Sequence, residues 1–389
     1  MNVTDTNNIS YIDNTKVYLG AGFLAGAGAL MFGVMPIFLS LIGGTFELTP
    51  QQVGDAAAAF NASFTGMSIS ALFWIRKIDW RATSLIGLLI SIIGTGLFLA
   101  INSYLHLLSA MFLTGIGMGL LYSLSMTVLG DSERPQKAFA VKLGMETFPG
   151  AIVLFAAPVF ILPKAGFTGF IGVMLMALLL LGFGALGIPK QDNTRRDLDK
   201  FYPAENSGNL LLILISVVIS LTFFSGMMGS WAFLEFLGSD REISGSIIGA
   251  TLSIGLIAMG LGGFLAAILS NKASQTIQFI IIATVHLVAL AILAFVPGTA
   301  GFAAGSILFL FTVNYILSFT FGLTARLDKQ GRFVALCGAS LSGGAVLGPM
   351  VSGRLIESQG YTGMLTFSAI CLIVAAFIFV TLSQLKASK

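Results

Sequence analysis

The sequence predicts an all-α integral membrane protein with twelve transmembrane helices arranged as two six-helix sets. Three observations point there. Of 389 residues, 56% are hydrophobic and 10% charged; a soluble protein carries about 25% charged residues, so this chain lacks the polar surface to cover a globule in water. Its apolar residues gather in twelve stretches, each long enough to cross a bilayer as a helix, which takes about 20 residues. One polar linker, Pro189–Ser207, lies near the midpoint with six stretches on either side.

In chain order the first six spans are Val17–Ile42, Pro50–Phe73, Ala82–Asn102, Leu105–Leu129, Ala138–Leu162 and Gly166–Ile188. The second six are Gly208–Leu237, Ile243–Leu269, Gln275–Val296, Ala300–Thr324, Phe333–Ile356 and Thr362–Leu385. The chain thus divides into a half over 1–188, a linker over 189–207 and a half over 208–389. None of these runs alternates as barrel strands do. The first is too long, and follows too polar a leader, for a cleavable signal peptide. Cys337 and Cys371 both sit in apolar stretches, which argues against a disulfide framework or a thiolate metal site.

Basic residues set the expected orientation. Lys164, Arg241 and Arg354 fall on one side and Lys142 within a span, leaving 16 of the 20 Lys and Arg at the termini and after even-numbered spans. The positive-inside rule puts that richer side, with both termini, in the cytoplasm. The net charge of +3 is then a matter of topology and gives no reason to expect nucleic acid as a partner.

The halves also align with each other. At an offset of 194 residues Gly166-Phe167-Thr168-Gly169 falls on Gly360-Tyr361-Thr362-Gly363. Phe139, Gly144, Gly150 and Ala151 likewise fall on Phe333, Gly338, Gly344 and Ala345. Single glycine matches mean little at this composition, but a four-residue match in a shared span register indicates an internal duplication.

Twelve spans, a duplicated chain, a cytoplasmic linker and cytoplasmic termini resemble the major facilitator superfamily over essentially the whole sequence. The resemblance implies two halves around a central cavity that rock to expose it alternately. It places spans 1, 4, 7 and 10 on the cavity and spans 2, 5, 8 and 11 between the halves. It also implies a cytoplasmic latch after span 2, where Arg76, Lys77, Asp79 and Arg81 form the basic cluster. Trp74 stands where the family's acid usually sits, so Asp79 is the candidate replacement. In span 4, Met111 occupies the family's Arg position. Pro149-Gly150 in span 5 lacks the fuller motif of drug/proton antiporters.

Gly115, Gly117 and Gly119 sit inside an apolar span with no preceding strand, so they read as helix-packing positions and not as a nucleotide loop. His106 and His286 are isolated, which leaves a metalloenzyme without ligands. Asp55 and Glu235 read as solvated end charges. Among cavity spans, Phe32, Tyr122, Trp231, Asn314 and Tyr315 would supply the few oriented polar and aromatic groups that an otherwise apolar pocket needs.

Lys142 and Glu146 stand apart. Four residues separate them, so they share one face of span 5, and Glu146 lies roughly 12 Å along that helix from Ala138. A carboxylate so deep costs at least about 2.5–3.5 kcal/mol and needs a partner. Glu146 is either half of a structural ion pair or a group that binds and releases a proton. Lys142 is its counter-charge or a contact for an anionic solute.

The expected protein is therefore a non-enzymatic secondary active transporter of a small organic solute in an inner membrane. Protons and lipids are its expected partners, it needs no cofactor, and it acts as a monomer. A drug or metabolite proton antiporter is the alternative within transport, and a facilitative channel is the third reading.

Overall fold

The computed structural model describes residues 14–75, 77–130, 135–189, 210–269, 274–327 and 335–387. Among these the secondary structure is helical without a strand. The helices are α1 Thr15–Thr45, α2 Pro50–Trp74, α3 Trp80–Leu97, α4 Tyr104–Gly130, α5 Pro135–Ala156 and α6 Leu162–Gly182. There follow α7 Leu210–Asp240, α8 Gly245–Leu269, α9 Gln275–Phe295, α10 Gly298–Leu327 and α11 Ala335–Ala387. Most of the predicted linker lies outside the described residues.

Local chemistry explains where the helices start and stop. Thr49 caps α2: the Gln52 N–H donates to its hydroxyl and the Thr49 N–H donates back to Gln52 Oε1. With Pro50 in the first helical position, this is a capping box. Asp79 caps α3 by accepting the Ala82 N–H at 2.8 Å. A π turn over Ala157–Ile161 carries Pro158 between α5 and α6, the kind of irregularity that proline forces by withholding its N–H.

The duplicated Gly-X-Thr-Gly motif marks two chain reversals. Gly166 near the start of α6 has φ 54, ψ −146, and Gly360 within α11 has φ 68, ψ −170. These conformations are open to glycine and strained for other residues, so a helix runs up to each glycine and a new direction starts after it. Two non-glycine residues at positive φ, Glu47 and Glu242, form a similar pair at the α1–α2 and α7–α8 turns.

Among the described residues nine stretches are long and apolar enough to cross a membrane, against the twelve counted from sequence. The shortfall has a physical cause. Met145–Gly187 and Ser340–Gln384 each run unbroken through one of the reversal glycines. Pro50–Trp74 is a further helix of 25 residues beside the nine.

The residues cluster into two compact units. One comprises Met1–Val34, Ala62–Val153 and Lys164–Arg195. Within it α3 packs on α4, and α1 crosses α5 so closely that a Cβ at Gly150 would sit 2.8 Å from Gly33 Cα. The other comprises Met35–Asn61, Leu154–Pro163 and Arg196–Lys389. There α7 lies along α11 and α8 along α10, and a Cβ at Gly344 would meet Ser225 N at 2.9 Å. Small residues at both crossings let transmembrane backbones approach.

Candidate functional site

In the first unit α4 and α5 bring three polar side chains together inside an apolar bundle. Lys142 Nζ lies 2.6 Å from Glu146 Oε2 and donates to the Tyr122 hydroxyl at 2.7 Å. That hydroxyl in turn donates to Glu146 Oε1 at 3.2 Å. The ammonium also stands 4.5 Å from the Tyr122 ring centre, a cation–π contact. The i,i+4 spacing of Lys142 and Glu146 follows from the α5 sequence; Tyr122 comes from α4 and closes the triangle.

Burial gives this triangle its leverage. The lysine side chain is 6% exposed and the glutamate 24%, so neither charge is freely hydrated and each depends on the other. A buried charge that loses its partner costs about 3–5 kcal/mol. Aromatic rings continue from the triangle: Tyr122 is 5.5 Å from Phe64, and Phe64 makes an edge-to-face contact at 4.9 Å with Phe32 of α1. Charge, hydroxyl and ring wall thus occupy one place, and Phe32, Tyr122, Lys142 and Glu146 from the sequence reading all belong to it.

The candidates on α7 and α10 lie in the second unit. Trp231 is buried. Tyr315 is also buried, its hydroxyl donating to Gln278 Oε1 at 2.9 Å and its ring stacked on Phe319. Asn314 is half-buried, with its Cβ beside Gly263 of α8. His286 sits at mid-α9 with Nδ1 2.6 Å from the Thr312 hydroxyl and its ring against Phe309 and Phe223. It thereby bridges α9 to α10 and α7.

Within the basic cluster after α2, Asp79 and Arg81 are held by local hydrogen bonds. Arg81 donates to the carbonyls of Leu186 and Ile188, at 2.9 and 3.1 Å, closing the end of the sixth span. Asp79 serves as the α3 cap, Lys77 is exposed, and Arg76 lies outside the described residues.

Two acidic residues read from sequence as solvated end charges have other settings. Asp55 pairs with Arg354 at 3.0 Å, a contact 299 residues apart. Glu235 is half-buried: Ser239 donates to one carboxyl oxygen at 3.0 Å, and Ser40 of α1 is a second hydroxyl partner of the carboxylate. Glu235 lies where helices of its unit converge, and packing removes the water that a helix end alone would leave, whereas Asp55 stays 30% exposed and keeps solvent access beside Arg354.

Sequence reasoning missed Glu357, whose carboxylate accepts the Gln51 N–H at 3.0 Å at the start of α2. A negative charge there is favoured by the helix dipole. Glu357 lies between the two predicted spans of α11. The Thr49 hydroxyl, then the Gln51 N–H, hold its carboxyl below the usual glutamate range. A depressed carboxyl stabilises above the ordinary range, and the gain disappears as pH falls through the shifted value. Hydrogen-exchange protection of the Gln51 amide is therefore expected to fall on acidification in the wild type. It should be low and independent of pH in Glu357→Gln; unchanged protection in that variant would show that the carboxylate contributes nothing.

No curated protein sequence matches the chain. Its fold, however, resembles solved structures closely. The nucleoside transporter NupG superposes with a TM-score of 0.72 at 15% identity, covering 94% of this chain and 98% of that one. A bacterial homolog of the human lysosomal transporter Spinster, inward-facing and unoccupied, gives 0.71 at 14% identity, with 98% of each chain covered. The POT family transporter PepTSo gives 0.73 at 12% identity over 100% of this chain and 99% of the other. At such identities the likeness carries the fold alone. The family itself rests on the sequence, which matches the Major Facilitator Superfamily model over residues 19–327: the chain belongs to that superfamily, a family of multi-pass membrane transporters.

Proposed function

We propose that the protein is a proton-coupled secondary active transporter that moves a small organic solute across an inner membrane by alternating access. The observation that carries this reading is the Lys142–Glu146–Tyr122 triangle: an ionisable cluster buried among transporter helices is a functional group by default. Glu146 binds a proton when Lys142 is otherwise satisfied and gives it up when the ammonium returns, so a change in their separation as access alternates would drive proton transfer. Trp231, Asn314 and Tyr315 on α7 and α10 are proposed as further solute-binding residues.

The same reading takes the chain as twelve spans in two sets of six, with the linker and both termini cytoplasmic. Parting the two long apolar stretches at Gly166 and Gly360, and admitting the more polar α2, gives that number. The paired backbone conformations and the paired crossings at Gly150 and Gly344 support the duplication.

Flux through purified protein in liposomes tests the class of function. A thermal-shift screen of metabolites first supplies a ligand, since a ligand stabilises the fold it binds. Labelled ligand should then show saturable exchange against unlabelled ligand on the far side. Ionic conductance without counterflow would place the protein among channels.

A further inference from the structure

We infer that the substrate is a small organic monoanion with an apolar body, and that it competes with the Glu146 carboxylate for the Lys142 ammonium, which makes the protein a proton–anion symporter. The inference rests on the proposed role of Glu146 as the proton-carrying group and adds to it the substrate's charge and the direction of coupling.

The triangle holds one cation and one anion. While Glu146 is ionised, its Oε2 occupies the ammonium at 2.6 Å and Tyr122 takes a second of its protons. Lys142 is then satisfied and offers no net charge to a solute. Protonation of Glu146 from solution removes the negative partner and leaves an ammonium, 6% exposed, with a neutral phenol as its remaining neighbour in the triangle. A buried unpaired charge is costly, and an incoming carboxylate restores the pair. Proton and anion therefore favour each other's binding, and by linkage the effect is reciprocal.

Three further features shape the ligand. A single ammonium balances one negative charge, so a monoanion fits better than a dianion. The rings of Tyr122, Phe64 and Phe32 run on from the ammonium and suit an apolar or aromatic body. Among the described residues, the titratable groups that face Glu146 are Lys142 on its own helix and Tyr122 on α4. From α1, packed on the same helix, the near positions are Gly26, against Met145 O, and Gly33, against Gly150. Among the described residues, no second cation stands beside the triangle to bind the anion in Lys142's place.

The test is a titration of the purified protein in nanodiscs with benzoate, phenylacetate and isovalerate, each compared with its uncharged amide. The range is about pH 5.5 to about pH 7.5, where these probes stay ionised. At least one carboxylate should bind and its amide should not. Its Kd should fall by up to about tenfold for each unit the pH is lowered, the slope of one linked proton. In Glu146→Gln the carboxylate should bind at every pH with the wild type's low-pH affinity, and in Lys142→Met it should not bind.

Failure of every carboxylate to bind the wild type, equal binding of the amides, or a flat or inverted pH slope would each overturn the inference. The wild-type and Glu146→Gln profiles decide the matter even where Lys142→Met fails to fold. Proton coupling is read separately, from pH-driven accumulation of the transported solute. If that still needs Glu146 while the carboxylates bind with a flat profile, the proton role stands and the competition falls.

Discussion

Glu146→Gln should abolish accumulation driven by a proton gradient while leaving solute counterflow intact. Glutamine keeps the length and shape of the side chain and can still accept from the Tyr122 hydroxyl, which now donates to Oε1 at 3.2 Å. It cannot exchange a proton. A gradient of one pH unit supplies about 1.4 kcal/mol per proton, enough for about tenfold accumulation. The variant should equilibrate its solute without concentrating it. Counterflow needs only binding and alternation, so it should persist. If a well-folded Glu146→Gln protein still accumulates solute with pH, Glu146 is half of a structural pair and the proton travels elsewhere.

Gly150→Leu should have the largest effect on folding. A Cβ at this position would lie 2.8 Å from Gly33 Cα and 3.3 Å from its carbonyl carbon. Both obstacles are backbone, so no rotamer change relieves the clash and α1 must separate from α5. Overpacking of this kind costs about 3 kcal/mol, a large part of a typical folding free energy of about 5–15 kcal/mol. Because α5 also carries Lys142 and Glu146 while α1 carries Phe32, the displacement should disturb the site as well. Gly172→Leu is the control, since a Cβ there meets nothing within 4 Å. The unfolding temperature of Gly150→Leu should drop sharply and that of Gly172→Leu should not; equal midpoints would mean the two helices are not held in that crossing.

What sequence could reveal followed the range of each interaction. The Lys142–Glu146 pair was legible because both residues share a helix and four positions fix their geometry. The reversals at Gly166 and Gly360 were legible as a repeated motif, and their backbone angles explain why the motif needs glycine first. Span number was less so, because an apolar chain can turn at a single glycine without a polar loop, and hydropathy then reads through it.

Contacts between helices distant in sequence left no local sign. Tyr122 was noted among cavity polar groups, but that its hydroxyl closes the triangle depends on how α4 packs on α5. Asp55 and Glu235 looked like charges at helix ends, and only packing shows Arg354 across from the first and burial of the second. Glu357 carried one usable hint: it lies three residues after Arg354, so the two share a helix face.

The central claim is that a proton gradient drives transport through this fold, and the most direct measurement is solute accumulation in wild-type proteoliposomes under an imposed pH difference with the membrane potential clamped at zero. The account predicts concentration of the solute above its external level, lost on adding a protonophore and restored when the gradient is renewed. Uptake that stops at equal concentrations whatever the pH difference would contradict it.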